Sequence, residues 1–144
     1  MIVYTGGTFD LPHQGHVNFL RQCRAIAGDD EVIVSLNTDE FIKEYKGKPP
    51  IMTYGERAAV LNEYRSVDYV IPNEGGSDSK VSILKVNPDA IVIGSDWAKK
   101  DYYNQMNFTQ EWLDENRIVL IYVPYFEGVS TTKVKERLWK YQQQ

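Results

Sequence analysis

The chain has one cysteine, Cys23, among 144 residues. An intramolecular disulfide is therefore excluded. Cys23 lies in a helical stretch and reads as a small buried apolar residue. Histidine is almost as scarce, with two copies, so a four-ligand zinc set cannot be assembled from histidine and cysteine, and no protein-held metal is expected. No window approaches the ~20 apolar residues of a membrane span. The N-terminus lacks the charged-then-apolar order of a signal peptide, and a cytoplasmic location is the default expectation. Positive charge is not in excess either. The net charge is −4, so no overall basic field favours a nucleic acid as partner. What remains is 42% hydrophobic and 25% charged residues. That is ordinary globular composition, on a length suited to one domain over residues 1–144 with its own core.

Hydrophobic patterning then alternates between two periods. Met1 to Tyr4 reads as a buried strand stopping at the Thr5-Gly6-Gly7 turn. Val17, Leu20 and Ala27 recur at near-helical spacing, and Gly28 offers a stop. EVIVSL is a second strand, followed by a short helix with Thr38 as N-cap. Lys46 to Met52 is a loop, because two prolines and a glycine forbid regular structure. Thr53 and Glu56 have capping-box spacing for the next helix. DYVIP, AIVIG and RIVLIYVP read as further strands, with KVSILKV and TQEWLDEN as helices between them. Residues 97–108 are polar and aromatic without a clear period. A last helix from about Thr131 places Val134, Leu138 and Tyr141 on one face, and YQQQ reads as a frayed tail. Strand–helix alternation predicts an α/β, Rossmann-like fold: a mostly parallel sheet with helices on both faces.

Both histidines fall within GGTFDLPHQGH, at the expected end of the first strand. Ligands of open α/β sheets bind beyond the carboxyl ends of the strands. Glycines there let the backbone approach a ligand, and the following helix start favours an anion. With Gly15 between them, His13 and His16 can face one bound phosphate group, whose charge favours the protonated imidazole. A purely structural pair of histidines, with Asp10 as a helix-entry cap, is the bland alternative.

The stretch GTFDLPHQGH resembles the HxGH signature of the nucleotidyltransferase superfamily. YFEGVSTTKVKERL resembles the second signature of its cytidylyltransferase branch, written RTEGISTT, and the intervening motifs SLNTDEFIKEYKG, YGERAAVL, YRSVDYVIP and IGSDW keep the family order. The resemblance implies transfer of a nucleotidyl group from a nucleoside triphosphate, CTP favoured, to a small phosphorylated alcohol of the glycerol phosphate type. Pyrophosphate is released and no covalent enzyme intermediate forms. It implies that His13, His16 and Lys48 act at the α-phosphorus. Gly7, Thr8, Phe9, Asp10, Gly15, Asp96, Trp97, Glu127, Gly128, Ser130, Thr131 and Thr132 are implied to surround the nucleotide. Asp10 would orient its loop or a magnesium ion. Lys46, Arg65 and Lys80 are implied for the acceptor, with Arg57 as a further family arginine. It also implies Mg2+ carried on the phosphates, and a homodimer.

The second signature departs from its pattern, because Tyr125 and Phe126 replace the arginine and threonine. Tyrosine cannot supply a planar bidentate cation. Two alternatives follow: an adenylyltransferase using ATP and a heptose-like sugar phosphate, and a non-catalytic nucleotide-binding protein.

Overall fold

The computed structural model describes residues 1–124, 126 and 128–144. The strands are β1 (Val3–Gly7), β2 (Val32–Leu36), β3 (Tyr69–Pro72), β4 (Ala90–Gly94) and β5 (Val119–Val123). They form a 5-stranded sheet in the order β3-β2-β1-β4-β5, and all four pairings are parallel. The helices are α1 (Gln14–Ala27), α2 (Asp39–Lys46), α3 (Tyr54–Asn62), α4 (Lys80–Val86), α5 (Tyr102–Met106), α6 (Gln110–Glu115) and α7 (Thr131–Gln142), with a 3-10 turn at Ser95–Lys99. The expected doubly covered α/β sheet is what the chain forms.

Alternate strand residues feed two layers. On one face Val3, Val32 and Val92 pack with Cys23 and Ala27 of α1, and Val34 and Leu36 pack with Leu20 and Leu61. On the other, Tyr4, Ile91 and Ile93 pack with Ile83 of α4, Tyr102 of α5 and Leu113 of α6. Cys23 is fully buried, as its apolar surroundings require. The chain winds outward from β1 to β3, then returns to place β4 on the other side of β1. This reversal opens a crevice at the carboxyl ends of β1 and β4.

Three boundaries differ from the sequence expectation. β1 continues through Gly6 and Gly7, which pair with Ser35 and Leu36 of β2. Ladder pairing overrides glycine's low strand propensity there, and the turn comes later. The terminal YQQQ is helical as far as Gln142. Residues 97–108 fold into the end of the 3-10 turn and α5, held by burial of Tyr102 and Phe108 rather than by local periodicity.

Candidate active site

The loop from Thr8 to Leu11 leaves β1 in a strained conformation, with φ of 49° at Phe9 and 51° at Leu11. Three contacts hold it. The Phe9 ring is buried beside Leu20 and Leu36. The Asp10 carboxylate accepts from the N–H groups of Ile51 (2.8 Å), Met52 (2.9 Å) and Leu11 (3.1 Å). The fully buried Arg57 donates to the carbonyls of Thr8 (2.8 Å), Asn37 (2.9 Å) and Met52 (3.0 Å), and pairs with Asp39 at 2.7 Å. Asp10 and Arg57 therefore tie the first loop to the segment carrying Lys46 and Lys48. Both oxygens of Asp10 are occupied by backbone donors, so its geometry serves loop orientation.

His13 is the N-cap of α1. Its Nδ1 accepts from Gly15 N–H (3.0 Å), and its own N–H donates to Nδ1 of His16 (3.2 Å). This reciprocal box fixes the tautomers, because a neutral ring that accepts at Nδ1 carries its proton on Nε2. The two rings stack with centroids 3.8 Å apart. Burial, then the neighbouring His13, pushes the His16 pKa down to about 4, against an opposing pull from Asp10. Burial, then Arg137, lowers that of His13. Both rings are thus neutral near pH 7, and each is an Nε2–H donor. Gly15 is required at this point. A Cβ on it would lie 2.8 Å from His13 Cε1 and 3.1 Å from the Val129 carbonyl.

Helix α7 closes the site from across the chain. Ser130 caps it by accepting from Lys133 N–H (3.1 Å). Thr131 donates to the Asp10 carbonyl (2.8 Å), and its Oγ1 lies 3.5 Å from His13 Nε2. Two helix starts therefore converge on one cavity of about 280 Å³. Gly7, Thr8, Phe9, His13, Gly15, His16, Asp96, Trp97, Ser130 and Thr131 all line it. Phe126 lines it as well, and Gly128 leaves room for that ring, since a Cβ would come within 2.7 Å of it. Thr132 is exposed on the first turn of α7. Glu127 and Tyr125 lie outside the described residues.

A second cavity, also of about 280 Å³, adjoins the first and shares Gly6, Gly7, Thr8, Ile93 and Trp97 with it. Lys46 lines this second space. Burial lowers the Lys46 pKa, followed by the field of Lys135, with Arg57 and Lys48 adding and Asp10 opposing. Lys46, Lys48 and Lys135 thus share one electrostatic neighbourhood.

Two expected acceptor residues are not brought to these cavities. Lys80 opens α4, pairs with Asp78 at 3.0 Å and donates to the Asn107 carbonyl. It faces a separate hollow lined by Asp101 and Trp112. Arg65 is exposed in the turn before β3, at the amino edge of the sheet. Two charges outside the expected set act on the site through their fields. Lys135 and Arg137, on α7, act on Lys46 and His13 respectively. Their signal was present in KVKER, directly behind the second signature, but a charge run on a helix end ordinarily reads as a solvated face.

Among the described residues, no helix is long and apolar enough to cross a membrane, and no group of three His, Cys, Asp or Glu could hold a metal ion. Paired imidazole donors and two helix starts around a crevice at a sheet reversal define a nucleotide-handling α/β enzyme. The chain belongs to the cytidylyltransferase-like family, which it matches over residues 4–137, and it is a nucleotidyltransferase. It is 36% identical to the glycerol-3-phosphate cytidylyltransferase of Staphylococcus aureus, over 95% of this chain and 94% of that protein. It is 32% identical to an FAD synthase of Korarchaeum cryptofilum, over 96% of this chain and 91% of that one. A lipopolysaccharide core biosynthesis protein from Thermoplasma volcanium superposes with a TM-score of 0.62 at 27% identity, covering 88% of this chain and 98% of its own.

Proposed function

We propose that the protein transfers the cytidylyl group of CTP to the phosphate of a small phosphorylated alcohol, giving a CDP-alcohol and pyrophosphate. The observation carrying this reading is the pair of adjoining cavities that meet at Gly6–Thr8, one beneath the histidine donors and one beside Lys46. The nucleotide occupies the first and the acceptor the second. An acceptor phosphate oxygen attacks the α-phosphorus as the bond to the pyrophosphate oxygen breaks. Nε2–H of His13 and of His16 donate to charge developing on the phosphoryl oxygens. Lys46, Lys48 and Lys135 offset the charge of two phosphorylated substrates meeting in one crevice. Catalysis of this kind is positioning plus preorganised charge stabilisation.

Asp96 is the one carboxylate lining the nucleotide cavity among the described residues. A magnesium ion would therefore be carried by triphosphate oxygens and water, where it neutralises the leaving pyrophosphate. The reading includes a homodimer, for which the exposed Leu138, Trp139 and Tyr141 of α7 offer apolar area; sedimentation equilibrium tests it. A second reading, adenylyl transfer from ATP, is favoured by the likeness to the FAD synthase.

Pyrophosphate release with CTP or ATP, plus magnesium, decides between the two. Acceptors would include polyol, amino-alcohol and sugar phosphates and FMN. CTP-dependent release with an alcohol phosphate supports the first reading. ATP-dependent release transfers support to the second.

A further inference from the structure

The first cavity is short of positive charge. Among the described residues lining it there is no lysine or arginine. Its titratable side chains are His13 and His16, both neutral near pH 7, and Asp96. A nucleoside triphosphate placed there brings several negative charges, and charge removed from water is costly without a partner. The second signature has no cation at position 125, where Tyr125 stands in place of its arginine. A cation for the phosphate chain has to come from the rim of the cavity.

Arg137 stands at that rim. Thr131, Val134 and Arg137 follow one another at three-residue spacing on α7, which makes them successive members of one surface ridge. The ridge starts at the histidines, because Thr131 Oγ1 lies 3.5 Å from His13 Nε2. Val134 is half-buried and Arg137 is exposed. Arg137 sits about 9 Å further along the axis than Thr131, at 1.5 Å per residue. Long helical side chains lean toward the helix N-terminus, so the guanidinium reaches back along the ridge toward His13. Its field there joins burial, the larger cause, in lowering the His13 pKa. Its donors are available. Arg24 pairs with Asp68 and Arg57 with Asp39, whereas no carboxylate among the described residues pairs with Arg137. Lys135, on the same helix, acts instead on Lys46 of the second cavity.

We propose that Arg137 binds the terminal phosphates of the nucleoside triphosphate through a planar bidentate contact, from a position two turns inside α7 rather than from the second signature. The histidine donors are then left to the α-phosphoryl oxygens. As the acceptor oxygen bonds to the α-phosphorus, the bond to the pyrophosphate oxygen breaks and its electron pair leaves with pyrophosphate. The charge gathered there lies against the guanidinium. The inference rests on the assignment of the first cavity to the nucleotide.

Titration calorimetry with magnesium is the test. It compares CTP, ATP, CMP and AMP on the wild type, Arg137→Met and Arg137→Lys, with pyrophosphate release measured on the same proteins. The better-bound triphosphate should lose about tenfold to a hundredfold in affinity in Arg137→Met, the scale of hydrogen bonds to a charged group. Its monophosphate should bind as before. Arg137→Lys should recover only part of the loss, because an ammonium keeps the charge but not the fork. In turnover, the KM for the triphosphate should rise while that for the acceptor stays. Tm should not move, since the side chain is exposed. Equal losses for monophosphate and triphosphate, with a lowered Tm, would mark a structural role and overturn the proposal. Unchanged triphosphate affinity in Arg137→Met overturns it as well. Full recovery in Arg137→Lys overturns the bidentate contact, because a general field would then suffice. If no acceptor supports turnover with either nucleotide, the transfer reading fails by itself. Arg137 is then judged by calorimetry alone: a loss confined to the triphosphate sustains the proposal, and a wild type that binds triphosphate no better than monophosphate overturns it.

Discussion

Acidification should destabilise the protein through His16, by an amount that follows from the geometry. The folded pKa is about 4, because the ring is buried against the stacked His13. An unfolded histidine titrates near 6.5. The unfolded chain therefore binds more protons between these values, and stability falls as pH drops from 6.5 toward 4. The separation of about 2.5 units, at about 1.4 kcal/mol per unit, gives a loss of about 3 kcal/mol once pH is below 4. About 2 kcal/mol of it is gone at pH 5. His16→Asn isolates this contribution, since the amide oxygen can stand in for Nδ1 as acceptor of the His13 N–H without titrating. Urea unfolding of both proteins at half-unit steps from pH 7 to pH 4 is the assay. The wild-type curve should drop below that of the variant by the stated amounts, with most of the divergence between pH 6.5 and 4.5. Parallel curves would refute the assignment of a buried neutral imidazole, and with it the acceptor role of Nδ1. The same linkage acts on binding. A triphosphate favours the charged rings, so nucleotide binding near pH 6 should take up protons. Calorimetry in buffers of different ionisation enthalpy reads that uptake.

Other perturbations test the scaffold. Arg57→Met strips the guanidinium from three carbonyls and from Asp39, and should cost about 3–5 kcal/mol in urea unfolding. Asp10→Ala frees the N–H groups of Ile51 and Met52. It should lose about 2–3 kcal/mol and weaken nucleotide binding, measured by titration calorimetry, because the lysine segment is no longer tied to the histidine loop. Gly15→Ala forces a methyl against the His13 ring and should lower kcat in the pyrophosphate assay, by about a hundredfold if the imidazole shifts by an ångström.

Much of the architecture was legible because its causes are local. The apolar runs of β2 and β4 are long enough to be strands buried on both faces, and the caps Thr38 and Thr53 stand where their hydroxyls accept from the next turn. The histidine pair was legible for a similar reason, since its box closes within four residues. What escaped depends on distant parts of the chain meeting. Arg57 sits on a helix whose pattern suggests an ordinary polar position. It is buried because carbonyls from Thr8, Asn37 and Met52 converge on it. α5 is a five-residue helix, too short for a period to declare itself, and it exists because Tyr102 fills the layer beneath β4. Ser35 looked like a strand residue, and only the fold shows that a cavity lies over it.

Gly6 belongs to the walls of both cavities, and a Cβ built there would meet only ordinary contacts, 3.7 Å from the Tyr4 hydroxyl and 3.8 Å from the Ser35 carbonyl. On the proposed assignment of the cavities, Gly6 belongs to the wall between the two substrates together with Gly7, Thr8, Ile93 and Trp97. Alanine, valine and leucine at position 6 would fill graded amounts of the space beside Tyr4 and Ser35. On that assignment, acceptors of increasing size would be sorted by the side chain placed at position 6.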